Sequence, residues 1–373
     1  MKVAKAIKGK PVDSFFLGLI VVLLIVGIVA FISASLGVLA KNEVKFYSII
    51  FTQLALGLGG GLVAMFIMSR IHYSWLKKYA LHILIATIVA MILVFIPGLG
   101  FAHGGAQRWV ALGPITFQPA ELLKMGCVIY FAAWLSWAKS RVTDFRFGIL
   151  PLLVLLAISA ALLFVQPDTK SFILILVAGT SMLFVSGVPI KYLIGIGLVG
   201  TVVLGSLIFF TPYLQARVKT FIDPSHDQSG SSYQLKQSLI AIGGGGIAGR
   251  GLGQSVQKFS YLPEPQGDSI FAVIGEEFGF IGSTIVILLY LMFAFRGFRI
   301  ATRAADQFGR LLALGIVILI TFQSFLNIAS ITGVFPLTGV PLVFMSQGGT
   351  SLLFSLAAVG IVLNISRYQK TIA

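Results

Sequence analysis

The chain has 373 residues and a net charge of +15, with 57% hydrophobic against 10% charged residues. A mean hydropathy of +0.99 excludes a soluble globule, and a single cysteine, Cys127, excludes an intrachain disulfide framework or a thiolate metal site. The basic excess is explained by short cytoplasmic connections lying against anionic lipid, so no nucleic-acid partner is needed.

A hydrocarbon core of roughly 30 Å needs apolar stretches of about 18–25 residues, and in lipid such stretches close their own hydrogen bonds as helices. They occur near 15–37, 47–69, 79–97, 119–138, 147–165, 171–187, 191–211, 270–295, 310–331 and 341–365. The expected fold is therefore all-α and polytopic, one transmembrane domain over residues 1–373 with about ten spans. Basic residues gather in alternate connections, among them Arg70, Lys77, Lys78, Lys139, Arg141, Arg146, Arg296, Arg299 and Arg303. With the basic residues 2–10 and the final Arg367 and Lys370, they predict that both termini are cytoplasmic. The first span is too long for a cleaved signal and should stay as an anchor.

Between the seventh and eighth spans, residues 212–269 form a large extracytoplasmic loop, far longer than the usual connection of about 4–6 residues. Such loops tend to bind ligands or act as lids. Its SLIAIGGGGIAGRGLGQS stretch (238–255) is too broken by glycine to span, yet apolar enough to rest against the membrane. The glycine run lacks the Gly-Lys-Ser/Thr ending of a phosphate loop. His72, His82, His103 and His226 are scattered, without metal-ligand spacing.

Charges inside apolar spans are costly and mark candidates for function. Glu121 and Lys124 share one face of the fourth span. They read either as a mutually neutralised pair or as a polar wall offering a cation to phosphate. Glu276 and Glu277 enter the eighth span and read as packing partners of neighbouring elements. Gly275, Gly279 and Gly282 offer that span a face for close helix approach. Asp268 precedes the same apolar run. It reads either as an N-cap or as a general base, and a base would need its pKa raised by desolvation or neighbouring acids.

Five ordered blocks carry a resemblance: GAQRWVALGPITFQPAELLK (105–124), QPD (166–168), YQLKQSLIAIGGGGIAGRGLGQSVQKFSYLPE (233–264), DSIFAVIGEEFGFIG (268–282) and NIASITGVFPLTGVPLVFMSQGGTSLL (327–353). Together they resemble the SEDS family, the FtsW/RodA/SpoVE proteins, with GRGLGQSVQKFSYLPE nearer the division branch than the elongation branch. The resemblance implies a peptidoglycan glycosyltransferase of the bacterial inner membrane, working at the division septum. It would polymerise lipid II with inversion and release undecaprenyl diphosphate.

The implied partners are a class B penicillin-binding protein, other divisome membrane proteins and membrane lipid. The implied general base is Asp268. Implied substrate contacts are Arg108, Gln118, Glu121, Lys124, Arg217, Glu264, Ser346, Gln347, Gly348 and Gly349, with Lys124 and the loop arginines holding the diphosphate. No dedicated metal cage is visible, although a divalent cation (Mg or Mn) could do the same work. Three departures stand out. Gln266-Gly267-Asp268-Ser269 replaces the family's usual His-Thr-Asp-Phe, Ser346-Gln347-Gly348-Gly349 replaces Ser-Tyr-Gly-Gly, and Thr169-Lys170 follows Gln166-Pro167-Asp168 in place of Leu-Gly. A flippase of lipid-linked precursors, an elongation polymerase and a non-catalytic scaffold are the alternative readings.

Overall fold

The computed structural model describes residues 11–103, 106–112, 115–223 and 230–369. The basic residues 2–10, His226 and Lys370 lie outside the described residues, as do residues 105, 113 and 114 of the first family-like block. Among the described residues, helices occupy all ten expected spans. They are α1 (Ser14–Leu39), α2 (Glu43–Arg70, π-helical over Thr52–Gly60), α3 (Ala80–Leu93), α4 (Pro119–Ala138), α5 (Ile149–Val165), α6 (Thr169–Val185) and α7 (Ile190–Phe210). The loop contributes α8 (Pro212–Ile222) and α9 (Ser231–Gly244), and the chain ends with α10 (Ile270–Thr302), α11 (Gln307–Ile331) and α12 (Gly349–Ser366). Six of the ten, α1, α2, α7, α10, α11 and α12, are long and apolar enough to cross a membrane. The protein is a polytopic α-helical membrane protein.

Three features differ from expectation. Residues 100–117, between α3 and α4, form a small antiparallel sheet of β1 (Gly100–His103), β2 (Ala106–Leu112) and β3 (Ile115–Phe117), with β2 central. The last helix starts at Gly349 rather than 341. Residues 333–348 contain Pro336, Gly339, Pro341 and Gly348, which break helix, although Leu337, Val340 and Leu342 to Met345 are buried like residues of a span. Within the long loop, α9 packs on α10.

The third difference lies in α10. Its 33 residues would reach about 50 Å at 1.5 Å per residue, well beyond a hydrocarbon core of roughly 30 Å. Gly279 (φ 65, ψ −161) divides it into a short entry helix, 270–278, and a 23-residue span, 280–302. Such a backbone needs glycine, and the break exposes groups that the helix would otherwise pair. The 246–251 loop supplies the partners. Arg250 N donates to Glu276 O (3.0 Å), Gly251 N to Glu277 O (2.9 Å), and Phe280 N to Gly246 O (2.9 Å). Gly275 thus admits another helix, as its sequence suggests, a Cβ there meeting Ile242 of α9 at 3.0 Å, whereas Gly279 admits the loop and Gly282 faces only Phe278 of its own helix.

Glu276 and Glu277 secure the same loop. Glu276 accepts from Ser255 Oγ (2.6 Å), Val256 N (3.1 Å) and Gln257 N (3.3 Å). Glu277 pairs with Lys258 Nζ at 2.6 Å and accepts from Ser33 Oγ of α1 at 2.7 Å. Both members of the Lys258–Glu277 pair are buried. Removing one partner of a buried pair typically costs about 3–5 kcal/mol, because the other charge stays desolvated. Glu277→Ala should therefore lower the melting temperature in detergent sharply, and a combined Lys258→Met, Glu277→Leu change should recover most of the loss. An unchanged melt for Glu277→Ala would contradict this account.

The chain ends of the bundle agree with the parity of the spans. Before α1, Asp13 pairs with Arg296 late in α10 (2.8 Å), and Asp13 N donates to Ser366 Oγ at the end of α12 (3.0 Å). Asn364 of α12 reaches Ser69 O at the end of α2 (2.8 Å). Residues 108, 166–170, 217, 234, 268 and 337–341 meet at the other end.

Candidate active site

The core of that meeting is residues 337–341, Leu-Thr-Gly-Val-Pro, between α11 and α12. Four side chains from three helices donate to carbonyls of this one segment. Arg217 Nη1 of α8 reaches Leu337 O (2.7 Å), and Lys170 Nζ of α6 reaches Gly339 O (2.6 Å). From α11, Asn327 Nδ2 reaches Val340 O (2.7 Å) and Gln323 Nε2 reaches Pro341 O (3.2 Å). Prolines 336 and 341 restrict the backbone there, and irregular backbone at such a place must find partners within the protein.

Asp268 lies against this segment. Asn327 Nδ2 also donates to the Asp268 carbonyl (2.7 Å), tying the residue to Val340. Gly339 has φ +66, and a Cβ built there would lie 3.2 Å from Arg217 Nη2 and 3.5 Å from Asp268 Oδ2. The guanidinium and the carboxylate thus flank one glycine.

The capping role expected of Asp268 is not what the structure shows. Ser269 stands at the N-cap position of α10, with no side-chain cap hydrogen bond. Asp268 Oδ1 accepts instead from Gln234 Nε2 of α9 (3.0 Å), which also donates to Ser269 Oγ (3.0 Å). A local sequence window cannot see that partner, 34 residues away. Burial pushes the Asp268 carboxyl above its ordinary 3.8, and the charge of Glu264 pushes the same way. Lys170, the Gln234 hydrogen bond and Arg217 pull it back. The carboxyl is thus displaced in the direction that a general base at neutral pH requires.

Arg108 of β2 donates through Nε to Gln166 O (2.9 Å) and through Nη2 to Pro167 O (2.6 Å). Asp168 follows and caps α6, accepting from Ser171 N (3.2 Å) and Ser171 Oγ (2.8 Å), with Gln118 Nε2 at 3.4 Å. Glu264, exposed and at φ +46, shapes the turn before Asp268, its carbonyl accepting from Gly267 N (2.9 Å). Arg108, Gln118, Arg217, Glu264 and Asp268 are therefore gathered at one end.

Glu121 and Lys124 stand apart. Both are buried, Lys124 Nζ contacting Glu121 Oε1 (2.9 Å) and Gln323 Oε1 (2.9 Å) beside a cavity of about 30 Å³. That space holds about one water, so the geometry is that of the neutralised pair. Gln323 joins the pair to Pro341. Residues 346–349 brace the approach to Asp268 from the far side. Gln347 N donates to Gln266 O (2.7 Å), while Gln53 of α2 holds Ser346 O (3.1 Å) and Gly348 N (2.9 Å). Gly349 packs on Thr52.

This arrangement coincides with a family-wide match. The profile of the FtsW/RodA/SpoVE family, described as cell cycle protein, covers residues 14–371. The chain belongs to this family. Stage V sporulation protein E of Bacillus subtilis is 38% identical over 312 residues, 84% of this chain and 85% of that protein. A probable peptidoglycan glycosyltransferase FtsW of a Geobacter species is 37% identical over 360 residues, 96% of this chain and 97% of that one. A chain of a peptidoglycan synthase complex, solved to describe structural coordination of polymerization and crosslinking, superposes with a TM-score of 0.78 at 28% identity. The match covers 96% of this chain and 99% of that one.

Within this FtsW/RodA/SpoVE fold, sequence reasoning passed over Gln234, Gln323, Asn327 and Gly339, and noted Lys170 only as a departure from the family pattern. A lysine at the start of an apolar run was the one local signal available. The other four are polar or glycine residues whose partners are far away in sequence.

Proposed function

We propose that this chain is a peptidoglycan glycosyltransferase that polymerises lipid II, with Asp268 as general base. The observation that carries the reading is a carboxylate that caps no helix, is pushed upward in pKa by burial, and shares Gly339 with the Arg217 guanidinium. In the reaction, Asp268 takes the proton from the acceptor GlcNAc 4-hydroxyl as that oxygen attacks the anomeric carbon of the donor MurNAc. The bond to undecaprenyl diphosphate breaks with inversion, leaving a β-1,4 linkage. Negative charge grows on the departing diphosphate, where fixed cations such as Arg217 lower the barrier.

Among the described residues no three His, Cys, Asp or Glu side chains gather to hold a metal. The charges acting on Asp268 include the cations Lys170 and Arg217. This donor set does not fit a resident divalent ion. The buried pairing of Glu121 and Lys124 does not favour the flippase reading, which would draw on mid-span charges.

The relatives named FtsW favour a division role. The coordination of polymerization and crosslinking in the synthase-complex relative favours a crosslinking partner, for which a class B penicillin-binding protein is the proposal. The basic connections favour residues 212–269 outside and both termini inside. The test is polymerisation of purified lipid II by the reconstituted protein with that transpeptidase. Glycan strands are expected, and their absence would favour transport or scaffolding. The pH profile offers a second check. Asp268 works only when ionised, so the rate should fall on the acid side at a pH above the ordinary carboxylate range. Glu264→Gln removes a charge that raises the Asp268 pKa and should move this limb to lower pH. An unmoved limb would separate the profile from Asp268.

A further inference from the structure

We propose that Lys170, flanked by Arg108 and Arg217, forms an anion site beside Asp268 that takes the diphosphate of the lipid-linked substrate. The choice of diphosphate rests on the glycosyltransferase reading; the site itself rests on the placement of three cations. Lys170 is the second residue of α6, and its ammonium ends on Gly339 O at 2.6 Å. Gly339 is the residue that Arg217 and Asp268 flank, at 3.2 and 3.5 Å from its would-be Cβ. Arg108 grips the carbonyls of Gln166 and Pro167, which lead into the same helix start. Ammonium and two guanidinium groups thus come from α6, β2 and α8 to one place. Lys170 lies within electrostatic reach of Arg108, Arg217, Asp168 and Asp268.

These cations are not satisfied by protein anions. Among the described residues the salt-bridged cations are Lys124, Arg250, Lys258 and Arg296, not these three. Asp168 is already engaged by Ser171 and Gln118, and Asp268 by Gln234. An ammonium has three donors and a guanidinium five, whereas Lys170 and Arg217 are each seen to use one on the segment's carbonyls, and Arg108 two. The remaining donors suit a ligand with several anionic oxygens, which forked guanidinium groups and a point-charge lysine recognise together. Gly339, lacking a side chain, leaves Arg217 and Asp268 open to one another, so an anion held here would lie next to the carboxylate assigned as base.

The test is calorimetric titration of inorganic pyrophosphate into the full-length protein in detergent, in buffer free of divalent metal. The parent, Lys170→Arg, Lys170→Gln and Asp268→Asn are compared. Glutamine can keep the hydrogen bond to Gly339 O without the charge, so it separates an anion site from a mere tether. The parent and Asp268→Asn should bind, Lys170→Arg within about three-fold of the parent, and Lys170→Gln about ten-fold or more weaker with an unchanged melting temperature. Parent-like binding by Lys170→Gln, or no binding by the parent, would overturn the site. Polymerisation is scored separately. A parent that binds pyrophosphate but makes no glycan would remove the polymerase reading and leave the anion site standing; glycan synthesis with parent-like Lys170→Gln binding would do the reverse.

Discussion

Asp268→Asn should make no glycan above background in the reconstituted lipid II assay, a loss of about 10²–10⁴-fold if the side chain serves as general base. The substitution is nearly isosteric, and the asparagine oxygen can still accept from Gln234, which holds Oδ1 at 3.0 Å in the parent. It also imitates the protonated carboxyl that burial already favours, so folding should be preserved and the melting temperature should not fall. Loss of activity in a folded protein then reads on proton transfer. Strands made at the parental rate would exclude Asp268 from the reaction.

Gly339→Ala should be nearly as damaging by a different route. At φ +66, a side chain costs roughly 1–2 kcal/mol of backbone strain. The added methyl would also crowd Arg217 Nη2 at 3.2 Å and come into contact with Asp268 Oδ2 at 3.5 Å. Relief moves the Arg217 guanidinium away from Asp268, or shifts the segment whose carbonyls hold Lys170 and Arg217. Turnover should drop by about 10²-fold, the scale expected for a misplacement near 1 Å, with only a modest fall in melting temperature. Wild-type turnover in this variant would mean that the spacing of Arg217 and Asp268 is irrelevant to the chemistry.

The spans were legible because hydropathy is a property of single residues summed over a window, and all ten appear as helices near the expected positions. The errors fall where the window saw greasiness but not backbone. Leu342 to Met345 are apolar and buried yet not helical, and Pro341 and Gly348 are the visible warning. Gly279 reads in sequence as part of a packing face, whereas it breaks α10 and lets a loop pair with the opened turn. At the candidate site, Asp268 was singled out by its position and by family resemblance, but its partner was not. Gln234, Asn327 and Lys170 reach their acceptors across 34, 13 and 169 residues of sequence. Their types alone give no hint of such distant pairing. Glu121 and Lys124 show the converse, since a spacing of three residues fixed their pairing in advance.

Residues 337–341 bear four bonds from α6, α8 and α11, so tolerance to mutation should be distributed unevenly around the site. A helix substitution that deletes one donor leaves three others holding the segment, so its path is retained even where, as at Lys170 or Arg217, a functional cation is lost. A change that alters the path of the five-residue segment displaces every donor at once, along with the carbonyl contact that fixes Asp268. The vulnerable part of this membrane protein is therefore a stretch of main chain that itself carries no charge.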